Sequence, residues 1–343
     1  MALALAALAV AGCGPDSGDR PDDRGPSSSA SAPSAPAVIL LPGNASPGDM
    51  TLTDDGTLWV VESALAAIAE IAPSGKITHH PLPRGAGFPP FPDDLQKSPD
   101  GGIWYTAGDQ IGRLDPSGKF TWWDDDADAP GNGPGADTNS PGHPDALALG
   151  PGGTVWFEHS ERGMTVFSRA DTKQGLHRIT QLKAQFSVGA GGMALGPDGA
   201  VWFSQKDEYG AEQREGIGRL TAEGDYKKWP LPEDSAPNDI VAGPDEALWF
   251  TDRRSIGRID TDGDLSHFPV PASKYPSSVT LGPDKALWFT TDHRVGRITT
   301  KGQMTLWPVR GAKELVSVVP VPDGSFWLAD SETDTVRRFT PPR

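Results

Sequence analysis

Residues 239–271 read DIVAGPDEALWFTDRRSIGRIDTDGDLSHFPVP. Apolar and polar residues alternate over four short runs, which is the pattern of β-strands with one buried face. Pro244-Asp245-Glu246 and Thr261-Asp262-Gly263 interrupt the alternation with residues typical of tight turns. The stretch therefore predicts one four-stranded antiparallel sheet, with strands A, B, C and D in chain order.

The centre of this stretch, Leu248-Trp249-Phe250, recurs six more times along the chain. The copies are Leu58-Trp59-Val60, Ile103-Trp104-Tyr105, Val155-Trp156-Phe157, Val201-Trp202-Phe203, Leu287-Trp288-Phe289 and Phe326-Trp327-Leu328. The tryptophans are 39 to 52 residues apart, and a strand-rich repeat of about that length is typical of a propeller blade. We predict an all-β fold, a seven-bladed β-propeller of four-stranded blades, in which the repeated tryptophans pack between sheets.

The last repeat stops after its third strand, at Val336–Phe339. Val38-Ile-Leu-Leu-Pro42 resembles the ends of D strands such as Trp229-Pro-Leu-Pro232. We predict that this N-terminal segment pairs with residues 326–339 and closes the ring, because a closed ring leaves fewer exposed sheet edges. The propeller domain is expected to span residues 37–343.

Residues 1–36 have a different composition. Residues 1–12 contain an eleven-residue apolar run that ends in small residues, as in the core of a signal peptide. Val10-Ala11-Gly12-Cys13 resembles the bacterial lipobox, which implies lipid attachment at Cys13, although no Lys or Arg precedes the run. Residues 13–36 are rich in Ser, Pro, Asp and Gly and are expected to form a disordered tether. We expect an extracytoplasmic, lipid-anchored protein; the alternative is an ordinary signal peptide and secretion.

Composition excludes several classes of function. The net charge of −16 repels nucleic-acid backbones, so we expect no nucleic-acid partner, and contact with a membrane only through Cys13. The single cysteine excludes a disulfide framework or a thiolate zinc site within one chain. The 41 Gly and 34 Pro residues suit many tight turns. We expect a monomer.

Insertions are confined to one kind of connection. They fall in loops between strands B and C or in loops that enter strand A, which share one face of a propeller; they are Arg84–Asp93, Asp124–His143, His159–Gly175 and Gln205–Gly216. We call this the variable-loop face. Long loops on one side of a rigid scaffold are where binding and catalysis concentrate, so we expect a small molecule, a peptide or a cell-envelope ligand there.

Two columns of residues are expected to surround the axis on the variable-loop face. The first column, two residues before the first apolar residue of strand A, is Gly48, Asp93, Asp145, Gly191, Asn238, Ser277 and Val316. The second column, three residues after the tryptophan, is Glu62, Ala107, His159, Gln205, Asp252, Thr291 and Asp330. We predict ligand-binding roles for six of them, Glu62, Asp93, Asp145, Gln205, Thr291 and Asp330.

The carboxylates in these columns suggest a metal site. Glu62, Asp252 and Asp330 are the predicted ligands of a hard cation such as Mg²⁺ or Ca²⁺, since such ions prefer carboxylate oxygens. The alternative interpretation is a solvated acidic rim.

The repeat phrase carries a family resemblance. Gly243–Thr251 with Ile256–Ile259, and Gly282–Thr290 with Val295–Ile298, resemble the streptogramin lyases of the virginiamycin B lyase family over roughly residues 37–343. The resemblance implies a seven-bladed propeller that linearises cyclic depsipeptide antibiotics by Mg²⁺-dependent C–O elimination. The family pattern combines a His in the first column with a Glu in the second, and no blade here has that pair.

Other residues could supply the missing acid–base group. The fifth blade offers Asn238 with Asp252, and His159 stands in the second column of blade three; these three residues are the catalytic candidates. His143 and His293 are weaker candidates near the same face, and surface loop histidines without a role are the alternative.

Three functional hypotheses follow. The first is a carbon–oxygen lyase that confers antibiotic resistance, with Mg²⁺ as the cofactor implied by the resemblance. The second, which the absent His and Glu pair favours, is a ligand-binding or catalytically divergent propeller. The third is a structural propeller within an envelope assembly.

Overall fold

The computed structural model describes residues 37–83, 91–108, 110–124, 146–150, 153–161, 164–171, 175–182, 188–207, 215–271 and 275–342. These residues lie in one compact unit, Ala35–Arg343. They form 28 strands and one 3-10 turn, Ser63–Leu65. None of the described helical segments is long and apolar enough to cross a membrane.

The strands form seven four-stranded antiparallel sheets. The first strand in the chain is β1 Val38–Leu40, and blade one follows with β2 Pro47–Leu52, β3 Leu58–Glu62, β4 Ala67–Ile71 and β5 Ile77–Pro81. Blade two contains β6 Pro92–Lys97, β7 Ile103–Ala107, β8 Gln110–Leu114 and β9 Phe120–Asp124. Blade three contains β10 Leu147–Leu149, β11 Val155–Glu161, β12 Met164–Asp171 and β13 Gly175–Leu182.

Blades four to seven repeat this order. Blade four contains β14 Val188–Leu195, β15 Val201–Asp207, β16 Gly216–Leu220 and β17 Tyr226–Pro230. Blade five contains β18 Ile240–Ala242, β19 Ala247–Asp252, β20 Ser255–Asp260 and β21 Leu265–Pro269. Blade six contains β22 Pro276–Leu281, β23 Leu287–Thr291, β24 Arg294–Ile298 and β25 Met304–Pro308. Blade seven contains β26 Leu315–Pro320, β27 Phe326–Asp330 and β28 Thr335–Phe339.

The ring closes as predicted. β1 pairs antiparallel with β28, with Val38 opposite Arg337 and Leu40 opposite Thr335, so that the strand order of blade seven is β1-β28-β27-β26. The first strand of each blade contacts the first strand of the next, and β26 contacts β2. The seven-bladed propeller closed by an N-terminal strand is therefore confirmed.

The repeat phrase is a packing unit. In blade five, Asp245 accepts hydrogen bonds from Trp249 Nε1 at 2.9 Å and from Arg258 Nε at 2.7 Å. The same Asp, Trp and Arg arrangement occurs in blades four and six. Gly257 faces the Phe250 ring so closely that a Cβ there would overlap it. The phrase thus joins the turn, strand B and strand C of one blade.

The tryptophans pack between blades, as the sequence predicts. Seven hydrophobic clusters each combine a tryptophan of one blade with residues of the next. Trp249, for example, is completely buried and packs with Val279 and Leu287 of blade six. The core of the protein is therefore a ring of interfaces between blades.

Blade three differs from the prediction. Residues 159–175 were expected to form an inserted loop, but most of them form the hairpin of β11 and β12, in which His159 pairs with Val166. The sequence analysis missed strand C of blade three because this strand lacks the Ile-Gly-Arg-Ile phrase. Val166 and Phe167 are completely buried and supply its packing instead.

Candidate functional site

Exposed apolar side chains occur on the variable-loop face. Leu65 follows strand B of blade one, whereas Phe91 and Tyr275 precede strand A of blades two and six. These side chains are 41%, 52% and 57% exposed. Most large apolar side chains of a folded domain are buried, and exposed ones beside polar groups occur at binding surfaces.

The second-column side chains do not surround the axis. Glu62, His159, Gln205, Asp252, Thr291 and Asp330 are all buried at or near the ends of strand B. Most of these side chains contact residues on strands C and D of their own blade. Gln205 Oε1, for example, accepts a hydrogen bond from Tyr226 of strand D at 2.6 Å.

Asp252 and Asp330 hold the loops that enter strand A. Asp252 Oδ1 accepts hydrogen bonds from the backbone amides of Ala236 at 2.6 Å and Arg253 at 2.8 Å. Asp330 accepts hydrogen bonds from the amides of Lys313 at 3.0 Å and Glu314 at 3.2 Å. These oxygens therefore anchor backbone in the same way that a capping carboxylate does.

The pKa of Asp252 reflects these contacts. Burial alone raises the pKa of a carboxyl group. At Asp252 the contact with His267, 3.4 Å away, and the two backbone amides outweigh burial and lower the pKa. The ionised carboxylate is therefore the form that the fold stabilises.

Glu62 forms a pair with a histidine of the outer strand. Glu62 is completely buried, and its Oε2 atom lies 2.7 Å from Nδ1 of His79 in β5. The His79 side chain is 38% exposed. Glu62 is therefore directed to the outside of blade one, away from the axis.

The predicted metal ligands are not brought together. Glu62, Asp252 and Asp330 belong to three different blades, and each has its own partners. Among the described ranges no group of three or more His, Cys, Asp or Glu side chains is arranged to hold a metal ion. The three residues do not fit a shared Mg²⁺ ion, because Asp252 and Asp330 accept hydrogen bonds from backbone amides and Glu62 pairs with His79, each within its own blade.

His159 lies in the core of blade three. It is 4% exposed, its Nε2 atom is 3.2 Å from Ser168 Oγ, and its ring stacks on Phe157 at 5.6 Å. These contacts are those of a packed core histidine. A catalytic role for His159 stays a prediction.

The first column is partly described. Asn238 Nδ2 donates to the Ser277 carbonyl at 3.0 Å, and the Asn238 carbonyl accepts a hydrogen bond from Ser204 Oγ. Asn238 thus links blade five to blades four and six. Asp93 is exposed on the variable-loop face. Asp145 and His143 lie outside the described residues, as does Cys13.

The sequence prediction missed the residues that do face the axis. Asp49, Asp94 and Asp239 each follow a first-column residue. They accept hydrogen bonds from amides of strand A in the next blade, at 3.1 Å for Leu95, 2.7 Å for Leu147 and 2.7 Å for Val279. Ser317 of blade seven also donates to Asp49, at 3.2 Å.

These three axial carboxylates interact with one another. Burial is the main cause that raises the pKa of Asp49, and burial together with the Asp49 charge raises the pKa of Asp94 well above its usual range. Burial, followed by the Asp49 charge, raises the pKa of Asp239 to about 7. All three residues lie at the start of the first strands of their blades, and these strands contact one another around the axis.

A β-bulge explains the shift of one position. The pairing of strands A and B is irregular between Pro47 and Met50, between Pro92 and Leu95, and between Pro276 and Val279. A bulge inserts a residue and turns the following side chain to the other side. Counting by simple alternation therefore selected the residue next to the one that faces the axis. In these three blades strand A begins with Pro-x-x-apolar, and that pattern could have indicated the bulge.

His293 is placed differently from the other histidines described. It is exposed in the turn between β23 and β24, on the variable-loop face. Tyr275 and Asp292 adjoin the paired residues Pro276 and Thr291, which places the tyrosine beside the segment that carries this histidine. This corner of blade six combines an aromatic side chain with an exposed imidazole.

Comparison with known proteins gives a consistent result. Residues 136–342 match the model of the virginiamycin B lyase family. The structure is similar to virginiamycin B lyase from Staphylococcus aureus, with 26% identity, coverage of 89% of this chain and 98% of that one, and a TM-score of 0.72. A catalytically inactive histidine-to-alanine variant of that enzyme with quinupristin has a TM-score of 0.71 at 26% identity, with the same coverage.

A solved streptogramin B lyase is also similar, with 25% identity, coverage of 88% of this chain and 95% of that one, and a TM-score of 0.71. No curated protein sequence matches the chain.

Proposed function

Because the chain belongs to the virginiamycin B lyase family, we propose that its variable-loop face binds an apolar cyclic peptide, with type B streptogramins as the first candidates. The observation that carries the proposal is the exposure of Leu65, Phe91 and Tyr275 on that face. A cyclic depsipeptide with aromatic side chains covers such residues and removes apolar surface from water, which is the main favourable contribution to binding of this kind.

Calorimetric titration of the full-length chain with quinupristin tests the binding proposal. We expect saturable binding with a negative heat-capacity change, the mark of apolar burial. An absence of heat at millimolar ligand, together with unchanged thermal stability, would contradict it.

A second candidate function is carbon–oxygen elimination, and the exposed His293 favours it. In an ester elimination a base removes a proton from the carbon adjacent to the one that carries the departing oxygen, the C–O bond breaks with its electron pair on the carboxylate, and a C=C bond forms between the two carbons. A neutral imidazole is suited to accept that proton near neutral pH. The loss of activity in the S. aureus histidine variant is consistent with a required imidazole, which His293 would provide in this chain.

Chromatography with mass spectrometry distinguishes elimination from binding. Elimination converts the cyclic antibiotic into a linear isomer of equal mass and different retention time, and His293→Ala should abolish it while His159→Ala leaves it unchanged. The assay is run with and without Mg²⁺, because the family resemblance implies that ion. Unaltered antibiotic under both conditions would contradict elimination and favour binding. Loss of turnover only in His159→Ala would show that His159, and not His293, is the catalytic residue.

We also propose that the protein acts outside the cytoplasm as a lipid-anchored monomer. The apolar run of residues 2–12, the Val-Ala-Gly-Cys sequence ending at Cys13 and the Ser- and Pro-rich residues 14–36 support this. The mass of the native N-terminus tests it, because lipid attachment adds a large, defined increment. An unmodified Cys13 in the mature protein would contradict the anchor.

A further inference from the structure

One backbone position recurs at the same level of several blades on the variable-loop face. It is the residue immediately before strand C, which we call the pre-C residue. Its carbonyl accepts a hydrogen bond from the amide of the residue that follows the outermost strand, at 2.8 or 2.9 Å. Equivalent side chains therefore start from equivalent, hydrogen-bonded places in different blades. The pre-C residues that show this hydrogen bond are Ala66, Glu215, Arg254, His293 and Asp334.

Blades five and six differ from the other blades at this position. Their pre-C residues, Arg254 and His293, are exposed, whereas the other three are half-buried. The carboxylate of Asp334 is also occupied, since it accepts hydrogen bonds from the amides of Asn44 and Ser46, both at 2.9 Å. Two neighbouring blades thus present a guanidinium group and an imidazole ring to solvent.

The loop between these two blades carries an exposed aromatic ring. Residues 270–275 lead from strand D of blade five to strand A of blade six. The first residue of this loop donates its amide to the Arg254 carbonyl at 2.8 Å, and the carbonyl of the second accepts a hydrogen bond from Arg294 Nη1 at 3.3 Å. Tyr275 ends the loop and is 57% exposed. These contacts place Arg254, Tyr275 and His293 at one corner of the variable-loop face.

The carboxylates described near this corner do not neutralise Arg254. Asp252 binds backbone amides and faces a histidine 3.4 Å away. Asp292 Oδ2 is 4.0 Å from Arg294 Nη2. The exposed Glu-Asp pair at residues 233–234 forms no ion pair with Arg254. Within the described ranges the charge of Arg254 is therefore available to an anion from outside the chain.

We propose that Arg254 binds a carboxylate of the ligand and that it favours ring-opened peptide acids over neutral peptides. The inference rests on the proposed function, because the elimination described above leaves the electron pair of the C–O bond on a carboxylate. In the cyclic ester the same oxygens carry no net charge. A planar guanidinium group can donate two parallel hydrogen bonds to a carboxylate, which an ester cannot match. Arg254 therefore contributes specificity, and Tyr275 contributes apolar contact.

Two linear forms of quinupristin are the probes. Alkali opens the ester: hydroxide adds to the carbonyl carbon, the acyl–oxygen bond breaks, and a carboxylate and a hydroxyl group remain. The methylamide of this acid is the uncharged counterpart. Calorimetric titration of the full-length protein should show that the wild type binds the acid about fivefold more tightly than the methylamide.

Substitution of Arg254 should remove only this preference. We expect Arg254→Gln to bind the acid and the methylamide equally, with the affinity for the methylamide unchanged from wild type. Lys76→Gln is the matched control, because it makes the same change of charge at an exposed residue in the turn between β4 and β5, on the opposite face. This variant should retain the preference of the wild type.

Salt dependence provides a second measurement that needs no variant. The preference of the wild type for the acid should decrease as sodium chloride is raised from about 50 mM to about 500 mM, because salt screens an exposed ion pair. The affinity for the methylamide should change much less.

Two kinds of failure are distinguishable. Quinupristin binding accompanied by equal wild-type affinities for acid and methylamide would overturn this inference alone. A preference that persists in Arg254→Gln, or one that Lys76→Gln also loses, would do the same. Failure of quinupristin and both linear forms to bind would overturn the proposed function and this inference together.

Discussion

At the scale of single residues, the family phrase is explained by close packing. The glycine of the Ile-Gly-Arg-Ile phrase lies on strand C directly beside the aromatic ring that follows the tryptophan, as Gly257 does beside Phe250. The aspartate of the A–B turn accepts hydrogen bonds from both the tryptophan and the arginine. The phrase therefore reflects how a blade is packed, and by itself it does not indicate a catalytic activity.

We predict that Gly257→Ala is destabilising because its methyl group overlaps the Phe250 ring. Overpacking of this kind costs about 1–3 kcal/mol. Gly43→Ala is the matched control, since no atom lies within 4 Å of a Cβ at that position. Denaturant unfolding of both variants gives the free energies, and equal stability of the two would contradict the packing account.

Asp252 provides a second test at this scale. Its pKa is lowered in the folded protein, so ionisation of Asp252 stabilises the fold above its unfolded pKa of about 4, and that contribution is lost as the pH falls through the folded value. Asp252→Asn should therefore destabilise the protein by roughly 1–3 kcal/mol at pH 7. The difference from wild type should shrink towards pH 3. A difference that is constant from pH 7 to pH 3 would contradict the assigned contacts.

At the scale of elements, the stability of the ring depends on β1. Ile39 is 4% exposed and packs in the cluster between blades seven and one, whereas Leu40 is 71% exposed on the same strand. We predict that Ile39→Asp lowers the melting temperature strongly, because it buries a charge without a partner. Leu40→Asp should have little effect. Deletion of residues 37–42 should be at least as harmful as Ile39→Asp, and an unchanged melting temperature after deletion would contradict closure by β1.

The inner strands are connected by the axial carboxylates. Asp239 has a folded pKa of about 7, above its unfolded value, so it holds a proton in the folded protein where the unfolded chain has released it. Its contribution therefore makes the fold less stable as the pH rises from about 4 to about 7. Asp49 and Asp94 face the same space and add to the effect through their charges.

We predict that Asp239→Asn reduces the loss of stability between pH 5 and pH 8 by on the order of 1–2 kcal/mol. Unfolding free energies of the variant and the wild type at the two pH values measure this difference. The repulsion that arises from the high net charge is nearly the same in both proteins and cancels. An identical pH dependence would show that Asp239 is not protonated at pH 5 in the folded state.

At the scale of the whole molecule, the sequence predicts the fold better than the site. Seven copies of the Leu-Trp-Phe phrase determine the number of blades, and the likeness of Val38–Pro42 to D strands identifies the closing segment. Strands with one buried face show a regular alternation of apolar and polar residues in the sequence. In blade three, strand C lacks the repeat phrase, and the sequence analysis took it for a loop.

The site was harder to predict because it depends on the direction in which each side chain points. A bulge at the start of strand A moves the axial position by one residue, from Gly48 to Asp49 and from Asp93 to Asp94. Asp252 and Asp330 have the residue type of metal ligands, but their oxygens bind backbone amides. Residue type and spacing do not reveal which neighbour occupies a carboxylate.

The most direct test of the central proposal is a comparison of quinupristin titrations by calorimetry for the full-length protein and two variants. Tyr275→Asp places a charge on the variable-loop face, whereas Leu40→Asp places the same charge on an exposed apolar residue of the outer strand β1. The account predicts that the wild type and Leu40→Asp bind equally and that Tyr275→Asp binds at least about tenfold more weakly. Equal binding by all three proteins, or no binding by any, would contradict it.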